Sequence, residues 1–359
     1  MDLSVVVPTL NGRDRLAGCL DALAAHAPDA EVVVVNGPSA DGTTGMVRDR
    51  DDVDVLVETS DRTVNVARNA GIEVATGDAV ALVDFDHRIG ASWVEAARSG
   101  LERRDVVTGP VRDVSHADPT DETTREGGTA GDDGASGNDG ASGNDESVGT
   151  GENAGNGRDA ANDRDVGNDR DAGDDGPERR TVGGRDVTYF AGGNVVFRRE
   201  TLRDLDGFDE YLHTGGARDA AHRLANTGRE VGWESELATI RKPPSRTAAD
   251  GGSESRDWGW KYRSLAYRLF KNYGIRPMVF ARTGVNAATD AVSVARDVVR
   301  GDATPSGWVG NGRDVVVGIV SGSSDGMIAR AKDRSPARNP NGISKRADRA
   351  VAKYDERGD

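Results

Sequence analysis

Four short, largely apolar runs, each rich in β-branched residues, limit what this chain can fold into. They are Leu3 to Pro8, Val32 to Val35, Val53 to Val57 and Ala79 to Val83. Between them the apolar residues fall at helical spacing: Leu16, Leu20 and Leu23, then Val64, Ala67, Ile72 and Ala75. A strand that reads as a continuous apolar run is buried on both faces. Alternation of such strands with helices implies a mostly parallel sheet covered on each side, a Rossmann-like α/β fold. Ligands on sheets of this kind bind at the carboxyl ends of the strands. Chemistry is therefore sought in the residues that follow each run.

Composition divides the chain. Residues 1–117 carry the α/β pattern. Residues 118–180 are dominated by Gly, Asp, Asn, Ser and Ala, lack aromatics, and hold 18 acidic against 6 basic side chains. Gly-Ala-Ser-Gly-Asn-Asp occurs there twice, and the segment has too little apolar surface to offset chain entropy. It reads as a disordered acidic insertion. Order is expected again over 181–240, with apolar runs at Val187 to Phe190 and Val195 to Phe197. Residues 241–359 form a basic extension, with 22 basic against 13 acidic side chains and a frayed end expected over the last thirty residues. The whole-chain charge of −15 describes none of these regions and gives no reason to expect a nucleic-acid partner. With 6 lysines against 40 arginines in an acidic chain, the composition is like that of haloarchaeal proteins. One cysteine, Cys19, excludes a disulfide scaffold and a Cys-rich zinc site.

The sharpest local feature is Ala79-Val80-Ala81-Leu82-Val83-Asp84-Phe85-Asp86-His87. Asp-x-Asp alone means little in a chain that also has Asp49/Asp51, Asp52/Asp54 and Asp204/Asp206. Only Asp84 and Asp86 end a buried-type strand, where carboxylates can hold a hard divalent cation that also takes diphosphate oxygens. Mg²⁺ or Mn²⁺ is expected there. His87 is either a further ligand or the first loop residue. The first run ends Pro8-Thr9-Leu10-Asn11-Gly12, the second Val35-Asn36-Gly37-Pro38-Ser39, and Arg68 lies on the helix after the third.

In this order the pieces resemble glycosyltransferase family 2. Pro8-Thr9, Ser39-Ala40-Asp41-Gly42-Thr43, Arg68-Asn69-Ala70-Gly71, Asp84-Phe85-Asp86, Ala191-Gly192-Gly193-Asn194 and Gly207-Phe208-Asp209-Glu210 each match a motif of that family. The resemblance covers residues 1 to about 117 and 187 to about 240. It implies a GT-A fold and inverting, metal-dependent transfer from a nucleoside-diphosphate sugar to a hydroxyl or phosphate acceptor. The acceptor would be a glycan or a lipid-linked polyprenyl or dolichyl phosphate. Pro8, Thr9, Asn36, Arg68 and Asp84 would line the nucleotide-sugar side, Asp84 and Asp86 would hold the metal, and Gly193 and Asn194 would face the acceptor. Two departures stand out. Asn36 and Gly37 replace acidic residues after the second strand. Counting back from Arg223-Leu224, Gly216 and Ala217 fill the positions of a Glu-Asp pair whose second member is the expected base. Asp219 is the nearest carboxylate and takes that catalytic role by default.

Two alternatives share this architecture. A nucleotidyltransferase would need a Gly-rich basic loop after the first strand, and this chain has one glycine there. A nucleotide-sugar-binding protein without a base is consistent with Gly216-Ala217. In the extension, Trp258, Tyr262, Leu265, Ala266, Leu269 and Tyr273 form one stripe of a helix flanked by basic residues. That pattern predicts either packing on the catalytic domain or peripheral contact with an anionic membrane. No run of 18 apolar residues and no basic leader are present, so a cytoplasmic protein is expected, at the inner face of the membrane if the stripe binds lipid.

Overall fold

The computed structural model describes residues 1–113, 176–242, 258–277, 279 and 305–357. Most of the acidic insertion, residues 118–175, lies outside the described residues. Its far border falls earlier than composition suggested, because Arg179 and Arg180 already belong to an ordered hairpin.

The first half alternates as expected. Strands β1 (Leu3–Thr9), β2 (Glu31–Asn36), β3 (Val55–Thr59) and β4 (Ala79–Val83) are separated by helices α1 (Arg13–His26), α2 (Thr43–Arg48) and α3 (Val64–Val74). Then come β5 (His87–Ile89), α4 (Trp93–Arg103), β6 (Val106–Thr108) and β7 (Val111–Asp113). The second half contributes β8 (Arg179–Val182), β9 (Arg185–Thr188), β10 (Asn194–Arg198), α5 (Arg199–Asp204), α6 (Gly216–Asn226), β11 (Val231–Trp233) and β12 (Thr239–Arg241). Helices α7 (Trp258–Tyr273) and α8 (Pro305–Lys332) and strand β13 (Ala350–Asp355) complete the chain.

An eight-stranded sheet runs in the order β11-β6-β10-β4-β1-β2-β3-β13. The pairs β1–β2, β1–β4, β2–β3 and β6–β11 are parallel, and β10 runs antiparallel between β4 and β6. The continuous apolar runs are explained by a core on each face. Val5, Val7, Val32, Val34, Ala81 and Val83 face Leu16, Leu20 and Leu23 of α1. Val6, Val33, Val35, Val80 and Leu82 face α3, α6 and α7. Alternate residues of one strand thus enter two cores, as the side-chain period of two requires.

The extension departs from expectation in two ways. The fraying expected of its end is not seen through Asp355: β13 pairs antiparallel with β3 at the sheet edge, which supplies partners to an otherwise open row of backbone groups. The α7 stripe is buried: Tyr262, Leu265, Ala266, Leu269 and Tyr273 all join the core on the α3 face. These five residues are therefore not available for the membrane contact predicted for the stripe; the side chain of its first member, Trp258, lies outside the described residues. Helix α8 covers the remaining side through small residues at a spacing of four. A Cβ on Gly318, Gly322 or Gly326 would come within 2.2, 2.1 or 2.5 Å of the backbone oxygens of Gly259, Arg263 and Tyr267. Only glycine lets the two backbones approach this closely. No described helix is long and apolar enough to cross a membrane.

Candidate active site

Strand β4 ends at Val83, and the chain turns at once through Asp84, Phe85 and Asp86 into β5. Phe85 is buried, whereas the Asp84 and Asp86 side chains keep 22 % and 13 % exposure. One ligand atom from each of Asp84, Asp86 and His87 lies within 4.8 Å of the others. The loop before β10 fixes this group. The Asp84 amide donates to the Gly193 carbonyl at 3.1 Å, and His87 Nδ1 lies 2.9 Å from the same oxygen. A carbonyl can only accept, so Nδ1 donates to it; in the neutral ring Nε2 then carries the lone pair, on the side where Asp86 lies 3.8 Å away. A carbonyl partner of this kind is how metal-ligating imidazoles are usually oriented. The same approach explains the glycine: a Cβ at 193 would come within 2.2 Å of Asp84 Cγ. Two carboxylates and an oriented imidazole are a donor set that suits a divalent cation such as Mn²⁺.

Two arginines flank the pair. Arg15 Nη1 is 3.5 Å from Asp86 and stacks 4.6 Å from the Phe85 ring. Arg68 Nη2 is 3.5 Å from Asp84 although its side chain is fully buried, with Cζ 5.4 Å from the Phe208 ring. Its position on α3 brings a cation to the carboxyl end of β4. Arg15 was not singled out from the sequence; its place at the start of α1, opposite the Asp-x-Asp turn, depends on the sheet order.

The loops after β1 and β2 are joined by side-chain hydrogen bonds. The Asn11 amide donates to Ser39 Oγ at 2.8 Å, and Ser39 Oγ donates to Asn36 Oδ1 at 2.7 Å. Asn36 Nδ2 donates to Thr44, whose hydroxyl donates to Glu58 Oε1 at 2.7 Å. A carboxylate from β3 thus stands beside the position where Asn36 has replaced one. Pro8 and Thr9 end β1 as expected, and buried Thr9 Oγ1 has no hydrogen-bond partner among the described residues.

Two expected site residues are placed elsewhere. Asn194 is fully buried: its Oδ1 accepts from Trp93 Nε1 at 3.0 Å, and its Nδ2 donates to Leu237 O at 2.7 Å and Pro110 O at 3.2 Å. It staples the loop from inside and does not face an acceptor. Asp219 is also fully buried. Its Oδ2 takes Lys271 Nζ at 2.7 Å and Arg223 Nε at 2.8 Å, and its Oδ1 takes Asn272 Nδ2 at 2.9 Å. Burial alone would raise this carboxyl, but Lys271 and Arg223 outweigh it and hold the group below its ordinary value. A saturated, acidified carboxylate sealed from solvent does not collect a proton, so the base role fails on geometry. Asp209 and Glu210 are equally engaged. Asp209 meets Lys271 at 2.6 Å and Tyr267 at 2.8 Å, and Glu210 meets Arg346 and Arg349. At the positions of the missing pair, a side chain on Gly216 would strike Asn65, within 2.3 Å of its Oδ1.

The profile of glycosyl transferase family 2 matches residues 4–205. The chain belongs to glycosyl transferase family 2. Among curated relatives it is 31 % identical to glycosyltransferase AglE of Haloferax volcanii over 106 residues, 28 % of this chain and 35 % of AglE. It is 33 % identical to the uncharacterized glycosyltransferase YibD of Escherichia coli over 91 residues, 24 % of this chain and 26 % of YibD. The matches therefore span about a third or less of these relatives. Among solved structures, S. aureus TarS 1-349 in complex with UDP-GlcNAc superposes with a TM-score of 0.52 at 14 % identity, covering 93 % of this chain and 92 % of that one. That likeness shows the GT-A fold.

Proposed function

We propose that this family member transfers a sugar from a nucleoside-diphosphate donor to a hydroxyl or phosphate acceptor with inversion, using a divalent metal. The observation that supports this best is the cluster of Asp84, Asp86 and His87 at the carboxyl end of β4. Residues 1–117 would supply the nucleotide-sugar-binding half and 181–240 the acceptor half. Asp84, Asp86 and His87 would hold Mg²⁺ or Mn²⁺, with the imidazole favouring Mn²⁺. When bound, such an ion offsets charge developing on the leaving diphosphate. Arg68 and Arg15 flank the same carboxylates and would share that charge. Thr9 and the Asn36–Ser39–Asn11 relay would meet the nucleoside, with Glu58 behind them.

The acceptor is open within this class. A glycan and a lipid-linked phosphate are both compatible with the chemistry, and α7 lends no support to the lipid-linked choice because Tyr262, Leu265, Ala266, Leu269 and Tyr273 of its stripe are buried. A second reading follows from Gly216, Ala217 and the sealed Asp219: a protein that binds the donor without turning it over. One experiment separates the two. The purified chain is titrated by calorimetry with a panel of UDP- and GDP-sugars, with Mn²⁺, Mg²⁺ or EDTA, and nucleotide release is then followed with mixed acceptors. Metal-dependent binding with release supports the transferase. Binding without release supports the second reading, and no binding sinks both.

A further inference from the structure

Four arginines gather where the β8–β9 turn meets the C-terminal ends of α7 and α8. Gly183 in that turn lies against Tyr273, the last residue of α7: a Cβ on it would come within 2.4 Å of the tyrosine ring. Arg185 follows two residues later, exposed, and its side chain makes no described hydrogen bond. Arg276 Nη1 donates to the Gly183 carbonyl at 3.3 Å. Arg330, on α8, passes over Gly274, where a Cβ would stand 3.0 Å from its Nε. Its Nη1 donates to the Lys271 and Asn272 carbonyls at 3.0 Å each. Arg338 Nη1 donates to the Asp333 carbonyl at 3.4 Å.

Every one of these bonds ends on a backbone carbonyl. Among the described residues none of the four guanidiniums has an ion pair, in a chain whose net charge is −15. They act on one another instead. Burial pushes the Arg330 guanidinium below its ordinary value, and Arg338, Arg276 and Arg185 push it further the same way. Burial lowers Arg338 as well, where Asp333 pulls back and Arg185 adds to the fall. The Asp333 carboxylate is already engaged, with one oxygen on the Ser335 amide and the other on the Asn339 amide, both at 2.8 Å. Like charges held together in this way disfavour each other, and a bound anion would offset that repulsion.

We propose that Arg185, Arg276, Arg330 and Arg338 form a phosphate site separate from the metal group. A guanidinium held at one Nη by a carbonyl keeps its other N–H groups for phosphate oxygens, which it meets in short charge-assisted pairs. The phosphate can be a soluble one or a lipid headgroup. Ile275, next to Arg276, is 69 % exposed, and Ile328, two residues before Arg330, is 49 % exposed. Apolar side chains beside cations are what a headgroup at a bilayer surface would meet. The four arginines share no described bond with Asp84, Asp86 or His87, so the site does not depend on the transferase reading.

Thermal melts of the full chain in EDTA, with sodium phosphate replacing sodium chloride at constant ionic strength, test the site. Phosphate should raise the melting temperature saturably, because a ligand of the folded state alone stabilises it. Arg185→Gln/Arg276→Gln should weaken half-saturation by about tenfold or more. In chloride that variant should melt no lower than the native chain, since two repelling cations are gone. If loss of the Arg276–Gly183 bond unfolds it, Arg185→Gln alone carries the same test. Arg98→Gln/Arg203→Gln, at exposed arginines on α4 and α5, should respond to phosphate as the native chain does. Flotation with vesicles of phosphatidylglycerol and phosphatidylcholine in equal parts, against phosphatidylcholine alone, separates the two sources. Capture by the anionic vesicles that is lost in Arg185→Gln/Arg276→Gln assigns a lipid headgroup. A phosphate shift without capture assigns a soluble phosphate. Neither shift nor capture in the native chain overturns the proposal, as do responses that persist in Arg185→Gln/Arg276→Gln or vanish equally in Arg98→Gln/Arg203→Gln.

Discussion

Two groups of carboxylates, both close to α3, were built for opposite purposes. Asp84 and Asp86 sit at the open end of β4, partly exposed, with Arg15 and Arg68 at 3.5 Å and His87 oriented towards them. Asp209 and Asp219 sit under α7, sealed, with Lys271 between them at 2.6 and 2.7 Å. The open group keeps both carboxylates partly exposed, where a ligand atom can reach them. The closed group has exhausted its acceptors on its own chain. An aspartate's place in a motif therefore says less about its task than whether its lone pairs are already spent.

The sharpest way to break this contrast is to unpair the closed group. Asp219→Ala would leave Lys271 and Arg223 buried with one partner fewer, a loss of about 3–5 kcal/mol. Chemical denaturation should show a large fall in midpoint, and any metal-dependent donor affinity that survives should be near native. A stability change under about 1 kcal/mol would mean the centre is solvated and open to chemistry after all.

Asp86→Ala attacks the open group and should do the reverse. Donor affinity in Mn²⁺ should fall by roughly 10²-fold, about 2.7 kcal/mol, with the melting temperature nearly unchanged. Calorimetry with the donor chosen by the panel checks it, and native affinity in the variant would remove Asp86 from the metal site.

Helix α7 carries Lys271 to the closed group, and the glycines of α8 let α7 be covered there. Gly322→Val places a Cβ about where the Arg263 carbonyl stands and must push the helices apart, for about 1–3 kcal/mol. Thermal melts of this variant beside Gly312→Val, at a position with open space around it, should separate close packing from helix propensity. Equal losses would mean that the contact does not matter.

The open group was legible in the sequence and the closed one was not. An apolar run ending in two carboxylates is a local pattern, and so are the turn residues after β1 and β2. The parallel sheet was legible for the same reason, since each run had to be buried on both faces. The closed group joins α6 to α7 across a sequence distance of 52 residues between Asp219 and Lys271. Nothing local marks Lys271, which reads as one of several cations on a basic helix. Asn194 misled in a similar way: beside two glycines it resembled a ligand contact, yet Trp93, Leu237 and Pro110, all distant in sequence, use up its amide. The terminal strand β13 escaped because Ala350–Asp355 buries none of its side chains and so carries no core pattern; an edge strand needs only a neighbour with unpaired backbone groups.

The smallest effect concerns acid. Burial by itself would raise the Asp219 carboxyl, but Lys271 and Arg223 hold it below the ordinary value of 3.8. A group whose folded value is depressed contributes its full stability above the ordinary value and loses it as pH falls towards the folded one. Stability should therefore be flat in this respect near neutral pH and decline below about pH 4. Asp219→Asn cannot titrate, so its stability curve should be shallower than that of the native chain between about pH 4 and pH 2, on top of a lower plateau. Glu31, Asp41 and Asp52 are also held below their ordinary values and titrate alongside, so the difference is a partial change of slope. Urea midpoints for both proteins across that range read it directly. Parallel acid limbs would show that the Asp219 charge contributes nothing to folding, and the closed group would then be held together by packing and neutral hydrogen bonds alone.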